Sequence, residues 1–355
     1  MIIACDLDGT LTNRAGIISA RNAGALRWAA GRGAACVLAT SRPSRCLDLP
    51  PSQVALFACV VTCDGAEWSG HRPAEVRAPL SRGDVSLISG KISDAGVPGF
   101  YAVEFGAAMH YERGFSGWPA TDTGARVGSR PLHDLCAHGP VARLYFRPEN
   151  PRDGGGLAAA KHAVSGCDGI SCTTVEQPAE VGLLQFSSEK ATKGDALRTW
   201  LDETGLRDQR LVVFGDHLND LSMLELGDEA FAVGNAHPAV FRRYRHLRND
   251  DESAIARWIL SSSSCSWRIR AAPPVNDLSG LSQTRSTSSA SAMPAGRPLL
   301  PISHRRQRLS SAKVTSLALV RIGQGPCLYP PGVGAAAGFR PAVALDVPWR
   351  ARDGP

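Results

Sequence analysis

No run of about 18 apolar residues occurs anywhere in the 355-residue chain, so no candidate membrane-spanning helix is present. No Cys-x-x-Cys occurs among the ten cysteines, and their scattered positions do not match a zinc site. No secretory leader opens the chain, so the expectation is a reduced, soluble, cytoplasmic protein with no membrane partner. Glu is missing from residues 261–355, which hold 12 Lys+Arg against three Asp. Residues 1–260 then carry 27 Lys+Arg against 30 Asp+Glu, so the net charge of +6 belongs to the tail. That tail is rich in Ser, Pro, Arg and Gly and shows little hydrophobic periodicity, so it is expected to be disordered. Its best basic patch, Arg305-Arg306-Gln307-Arg308, is short and not interleaved with aromatics. At most it offers weak binding to nucleic acid or an anionic membrane. A regulatory linker and an extension without a function are the other readings of the tail.

Residues 1–260 alternate strand and helix at both ends. Ile2–Cys5, Ala34–Ala39 and Val60–Thr62 are short apolar runs fit for buried strands. Ser19 is positioned to cap a helix through Leu26 and Ala30, closed by Gly31 and Gly33. After Lys193, Leu197, Trp200 and Leu201 follow at helical spacing until Gly205. Leu211–Phe214 and Phe231–Val233 are further strands, with short helices at Met223–Leu226 and Ser253–Leu260. Between these flanks the texture changes. Tyr101–Phe105, Ala142–Phe146 and Gly182–Phe186 look like strands of a separate α+β unit, with Leu157–Val164 helical. The order implies a doubly wound α/β core at 1–75 and 187–260, interrupted by an insertion at 76–186.

A parallel sheet delivers the C-terminal ends of its strands to one edge, where ligands bind. Here that edge collects Asp6 and Asp8, Thr40, Lys193, and Asp216 with Asn219 and Asp220. Carboxylates that crowd one another raise each other's ionisation cost. A cation lets them share an edge and stay ionised. Carboxylates, a hydroxyl and one Lys form a sensible set for Mg²⁺ and phosphate.

Four stretches carry a resemblance. Asp6-Leu7-Asp8-Gly9-Thr10-Leu11, the strand ending at Thr40, Lys193-Gly194-Asp195-Ala196-Leu197 and Gly215-Asp216-His217-Leu218-Asn219-Asp220 resemble, in order, the motifs of the haloacid dehalogenase-like hydrolases. The insertion after the second motif, and Phe231-Ala232-Val233-Gly234-Asn235-Ala236, resemble the subclass IIB (Cof-type) phosphatases with their C2B-type cap. The resemblance implies an aspartyl-phosphate mechanism. Asp6 would be the nucleophile and Asp8 the general acid, then base. Lys193 would neutralise charge. Leu7, Gly9 and Thr10 in the first loop, with Thr40, Ser41, Arg42 and Asn219, would hold or flank the phosphate. Asp6, Asp8 (through its carbonyl) and Asp216 would bind Mg²⁺, with Asp220 at the metal or directly behind it. Asp at position 8 suits phosphate-ester chemistry, since members cleaving carbon–halogen or carbon–phosphorus bonds generally lack it.

The family pattern is not followed everywhere. Thr40-Ser41-Arg42 stands where Thr-Gly-Arg is usual, and Asp64-Gly65-Ala66 where Asn-Gly-Ala is common. Asn249–Ser253 lacks a Gly expected near the end of the core. Lys190 is a weaker rival for Lys193. Arg42 reads more readily as a partner of a nearby acid than as a substrate contact. His217 reads as a solvent-facing loop residue, and His110, His133 and His138 as surface residues. Trp68, Trp118 and Trp200 read as packing. The expectation is a Mg²⁺-dependent phosphatase of small phosphorylated metabolites, sugar phosphates first. A phosphomutase of the same fold, or a non-catalytic protein acting through its tail, are the alternatives. Nothing in the pattern specifies an oligomeric state.

Overall fold

The computed structural model describes residues 1–262 apart from 71–73, 107, 116–124, 129–130, 151–153, 178–179 and 249–251. The basic tail from residue 263, Trp118, the His138 side chain and most of the Asn249–Ser253 stretch lie outside the described residues.

In chain order the strands are β1 (Ile2–Asp6), β2 (Ala35–Ala39), β3 (Cys59–Thr62), β4 (Glu67–Ser69), β5 (Glu75–Val76), β6 (Gly99–Glu104), β7 (Ala108–Tyr111), β8 (Ala125–Gly128), β9 (Arg143–Pro148), β10 (Ile170–Gln177), β11 (Glu180–Ser188), β12 (Leu211–Gly215), β13 (Glu229–Val233) and β14 (Arg245–Leu247). They form two sheets. The larger runs β14-β13-β12-β1-β2-β3-β4-β5 and the smaller β10-β11-β9-β6-β7-β8.

In the larger sheet β14 through β3 are mutually parallel, and β4 and β5 add an antiparallel extension at one edge. Both faces are covered, which is why its strands read as continuous apolar runs rather than alternating ones. On one face Ile3, Cys5, Phe214 and Phe231 pack with Leu26 of the helix Ala20–Ala30 and Ile255 of the helix Ala254–Ser261. On the other, Ala4, Val61 and Val213 pack with Leu197 and Trp200 of the helix Lys193–Thr204. The Val, Leu, Ile and Phe side chains among them each gain about 1.5–3 kcal/mol from full burial. Trp68 and Trp200 are buried in this second cluster, as packing residues.

The caps explain the helix limits. The Ser19 hydroxyl accepts from the Asn22 amide, and Gly31 ends that helix. Thr192 caps the Lys193 helix by accepting from Asp195, and Gly205 closes it in the left-handed conformation.

The smaller sheet lies between β5 and the Lys193 helix in sequence. It is antiparallel except for the β7–β8 pair. Helices Arg82–Asp94 and Gly154–Ala163 cover one face, through Val85, Ile88 and Ile92 from the first and Leu157 and Ala160 from the second. The first helix carries a capping box between Ser81 and Asp84. Strand β9 alternates between the faces. Leu144 and Phe146 join the helix side, while Tyr145 joins Ala102, Met109, Phe115 and Leu183 on the other. Among the described residues, no helix is long and apolar enough to cross a membrane.

Candidate active site

The parallel register brings the C-terminal ends of β1, β2 and β12 to one edge, and the start of the Lys193 helix meets them there. At the end of β1, Asp6 is 4% exposed. Its Oδ1 accepts a 2.6 Å hydrogen bond from Lys193 Nζ. Its Oδ2 is buried and has no partner among the described residues. Lys193 is 1% exposed and bridges to Asp220 Oδ1 at 2.6 Å as well. Asp220 is fully buried, and its Oδ2 accepts from the backbone amides of Asp216 and His217, both at 2.9 Å. Asp220 thus sets the β12 loop and orients Lys193. Gly215 lets it approach, because a Cβ there would lie 2.7 Å from the Asp220 Cβ.

Three carboxylates, Asp6, Asp216 and Asp220, have oxygens within 4.8 Å of one another, and two of them, Asp6 and Asp220, share one ammonium. The electrostatics follow. Burial pushes the Asp6 carboxyl well above the usual range; Lys193 pulls it back, and Asp220 and Asp216 add to the push. Burial, then Asp220, raise Asp216 to about 7 against the opposing pull of Lys193 and the Thr10 hydroxyl. Burial opposes the charge on Lys193, but Asp220 and Asp6 outweigh it and keep the side chain protonated. The orphaned Asp6 oxygen, the acidic group around it and the surplus of negative charge all fit an oxygen-seeking divalent cation.

Gly9 is needed at the turn after β1. Its φ is +80, and a Cβ there would lie 2.2 Å from Asp216 Oδ2. Thr10 donates to Asp216 Oδ1 at 3.3 Å. Asn235, from the stretch after β13, donates to the Gly9 carbonyl at 2.8 Å and to Asp216 Oδ2 at 3.3 Å. Leu7 turns its side chain into the core, and its carbonyl accepts from the amides of Leu11 and Thr12.

Asp8 is gripped by Arg42, whose Nε reaches Oδ2 at 2.8 Å and Nη2 reaches Oδ1 at 2.5 Å. Thr40, fully buried at the end of β2, accepts from the Arg42 amide at 3.1 Å, and Ser41 between them is half-buried. Asn219 is exposed and donates to Asp64 Oδ1 at 2.9 Å. Lys190 is exposed, unlike the buried Lys193. His217 is exposed, stands edge-on to His237 at 5.5 Å, and has its pKa lowered by partial burial and by His237. His133 is exposed, whereas His110 is half-buried against Phe105. Asp64 does not add a bare negative charge, because Arg143 donates to its Oδ2 at 2.7 Å.

Sequence reasoning assigned no role to Asn235 or Arg143. Asn235 lies in a stretch that already resembled the family, which was the available signal. Arg143 is the first residue of a strand and meets Asp64 across 79 positions, with no local pattern to announce it.

A profile of the haloacid dehalogenase-like hydrolases matches residues 3–97 and 173–259. The chain belongs to this family. The pyridoxal phosphate phosphatase YbhA of Escherichia coli (strain K12) is 38% identical over 71 residues, 20% of this chain and 26% of that protein. The phosphoglycolate phosphatase of Methanothrix thermoacetophila is 33% identical over 64 residues, 18% of this chain and 29% of that one. These matches therefore span a little over a quarter of each curated relative. Among solved structures, a haloacid dehalogenase-like hydrolase from Bacteroides thetaiotaomicron aligns with a TM-score of 0.60 at 22% identity, covering 73% of this chain and 98% of that one. The subclass IIB sugar phosphatase BT4131 aligns with a TM-score of 0.57 at 16% identity, covering 74% of this chain and 98% of that one. At these identities the structural likeness is one of fold.

Proposed function

We propose that the protein is a Mg²⁺-dependent phosphatase of small phosphorylated metabolites, sugar phosphates foremost, working through an aspartyl-phosphate on Asp6. The observation that carries this reading is the state of Asp6. One oxygen is fixed by Lys193, and the other is buried without a partner. An oxygen so placed is costly unless a ligand uses it.

In the first step the Asp6 carboxylate attacks phosphorus, the bond to the ester oxygen breaks, and Asp8 gives that oxygen its proton. In the second step Asp8 takes a proton from water, which attacks the same phosphorus and frees Asp6 and inorganic phosphate. Arg42 orients Asp8 as the carboxylate that takes the proton from water, and gives up one Asp8 oxygen when Asp8 carries the proton as acid. Lys193 neutralises charge on Asp6 and on the phosphoryl oxygens. Thr40, Ser41 and the amides of Leu7 and Gly9 form the cradle, with Thr10 and Asn219 bracing the loops around it. Asp6 and Asp216, with the Asp8 carbonyl, are the residues that would hold Mg²⁺, and Asp220 supports them through Lys193 and the Asp216 amide. The bound cation supplies charge neutralisation for clustered carboxylates and phosphoryl oxygens. Residues 76–186 act as the cap, closing over the site to exclude water and select small substrates.

The test is phosphate release from a panel of sugar phosphates and other small esters, with Mg²⁺, with chelator, and with Asp6→Asn. Turnover should need the metal and fall by at least about 10³-fold in the variant. Asp6→Asn turning over at the wild-type rate would sink the reading, as would a folded wild-type protein that releases phosphate from no ester.

A further inference from the structure

Strand β3 runs into a turn that bends the wrong way for ordinary residues. Cys63, Asp64 and Gly65 all have positive φ, at 52, 54 and 108. Glycine adopts such angles freely and aspartate tolerates them, but a buried cysteine does so only when its surroundings hold it there. Those surroundings are the catalytic loops. The Cys63 amide donates to the Arg42 carbonyl at 3.0 Å and the Asp64 amide to the Thr40 carbonyl at 3.2 Å. Gly65 sits against the residue before Lys193, where a Cβ would lie 2.1 Å from the Thr192 carbonyl oxygen. The Asp64 carboxylate takes Asn219 on one oxygen. This one turn therefore touches the β2 loop, the start of the Lys193 helix and the β12 loop.

The remaining Asp64 oxygen is held from the other sheet. Arg143, whose side chain is 1% exposed, reaches it from the start of β9 at 2.7 Å. A second pair crosses between the two units in the opposite sense. Arg45, after β2, donates to Glu104 of β6 at 2.7 Å, with both side chains buried. Loss of Arg143 alone thus leaves another polar tie between the units.

We propose that Arg143 and Asp64 are positioning residues that couple closure of the capping unit to the placement of Lys193 and the Gly215–Asp220 loop. With the cap closed, Arg143 pins Asp64, and Asp64 fixes Asn219 while the turn backs the Lys193 helix. With the cap lifted, Asp64 loses its cation, and its carboxylate is left held only by Asn219. Chemistry then waits for closure, and an ester hydrolyses only when the cap is down. The inference rests on the phosphatase reading above.

The experiment uses the full chain and the variants Arg143→Ala, Arg143→Lys, Asp64→Asn and the double Arg143→Ala/Asp64→Asn. Asp64→Asn keeps an acceptor for Asn219 and tolerates the left-handed turn, so it guards against simple misfolding. Hydrolysis of para-nitrophenyl phosphate, which is too small to need contacts to a sugar, is followed with amide hydrogen exchange at residues 193–197 and 215–220. Arg143→Ala should lower kcat about 10- to 100-fold with KM changed less than about 3-fold. Arg143→Lys should recover part of the loss. The double variant should be little worse than Arg143→Ala, since both remove one interaction. Exchange at 215–220 should quicken about tenfold in Arg143→Ala. A higher KM at constant kcat would make Arg143 a substrate contact and overturn the proposal. Fully additive losses, or unchanged exchange, would overturn it too. If the folded wild type hydrolyses no ester, the phosphatase reading falls, and the exchange comparison alone decides the coupling.

Discussion

Replacing Lys193 by methionine tests the electrostatic logic of the site without reference to substrate. Met has nearly the same length and packs well, so the change removes charge and hydrogen bonds more than volume. Lys193 is the shared partner of Asp6 and Asp220, both buried, with Asp216 beside them. Removing one member of a buried pair costs about 3–5 kcal/mol, because the charge left behind is uncompensated. At about 2.1 cal/mol/K per residue over about 260 residues, that corresponds to about 5–9 °C in Tm. The deficit should depend on pH in one direction. Asp6 and Asp216 already have pKa values raised above their unfolded ones. A carboxyl with a raised folded pKa favours the folded state while protonated, and that stability is lost as pH rises through the folded value. Without Lys193 the raising increases. Lys193→Met should therefore sit closest to wild type near pH 5 and furthest from it near pH 8. The assay is denaturant unfolding followed by tryptophan fluorescence, in chelator, at several pH values. A deficit that is the same at every pH, or a variant as stable as wild type at pH 8, would refute the reasoning.

Gly9→Ala puts a Cβ against Asp216 Oδ2 and forces a left-handed angle on a residue that dislikes it. It should cost about 1–3 kcal/mol in stability and weaken Mg²⁺ binding at least about tenfold by calorimetry. Arg42→Lys cannot reproduce the two-pronged grip on Asp8, and should lower kcat about 10- to 100-fold while leaving Tm near wild type; full activity would deny Arg42 its part. Asp216 with a pKa near 7 must lose its proton to take a cation, so Mg²⁺ affinity should fall as pH drops below about 7, by up to about tenfold per pH unit. Calorimetry in buffers of different ionisation enthalpy should register proton release near neutral pH, and none would count against Asp216 as a ligand.

Much of the core could be read from local signals, because local physics decides it. Ser19 and Gly31 bracket one helix, and Thr192 and Gly205 another, through side-chain and backbone hydrogen bonds made within a few residues. Strands β1, β2, β3 and β12 announce themselves as apolar runs since both of their faces are buried. In the smaller sheet only some strands were legible. The helix Arg82–Asp94 contains Gly83, Ser86, Ser89, Gly90 and Ser93, whose weak helix propensities hide it. Its Ser81-x-x-Asp84 box and the three- and four-residue spacing of Val85, Ile88 and Ile92 were readable signals not taken up. Strands β4 and β5 are too short, at three and two residues, to carry a period.

The electrostatics of the site mark a different boundary. Sequence placed Asp6, Asp216 and Asp220 at one edge through strand ends, but their division of labour depends on which oxygen meets which donor. Asp220 spends both oxygens inside the protein, on Lys193 and on two amides. Asp6 spends one and keeps one. The Asp64 carboxylate, which reads from sequence as extra negative charge beside the substrate, is paired with Arg143 from another sheet. Residue identity and spacing specify that charge gathers at this edge. Only long-range packing specifies how that charge is balanced, and that balance separates a carboxylate left with an open oxygen from one that holds the others still.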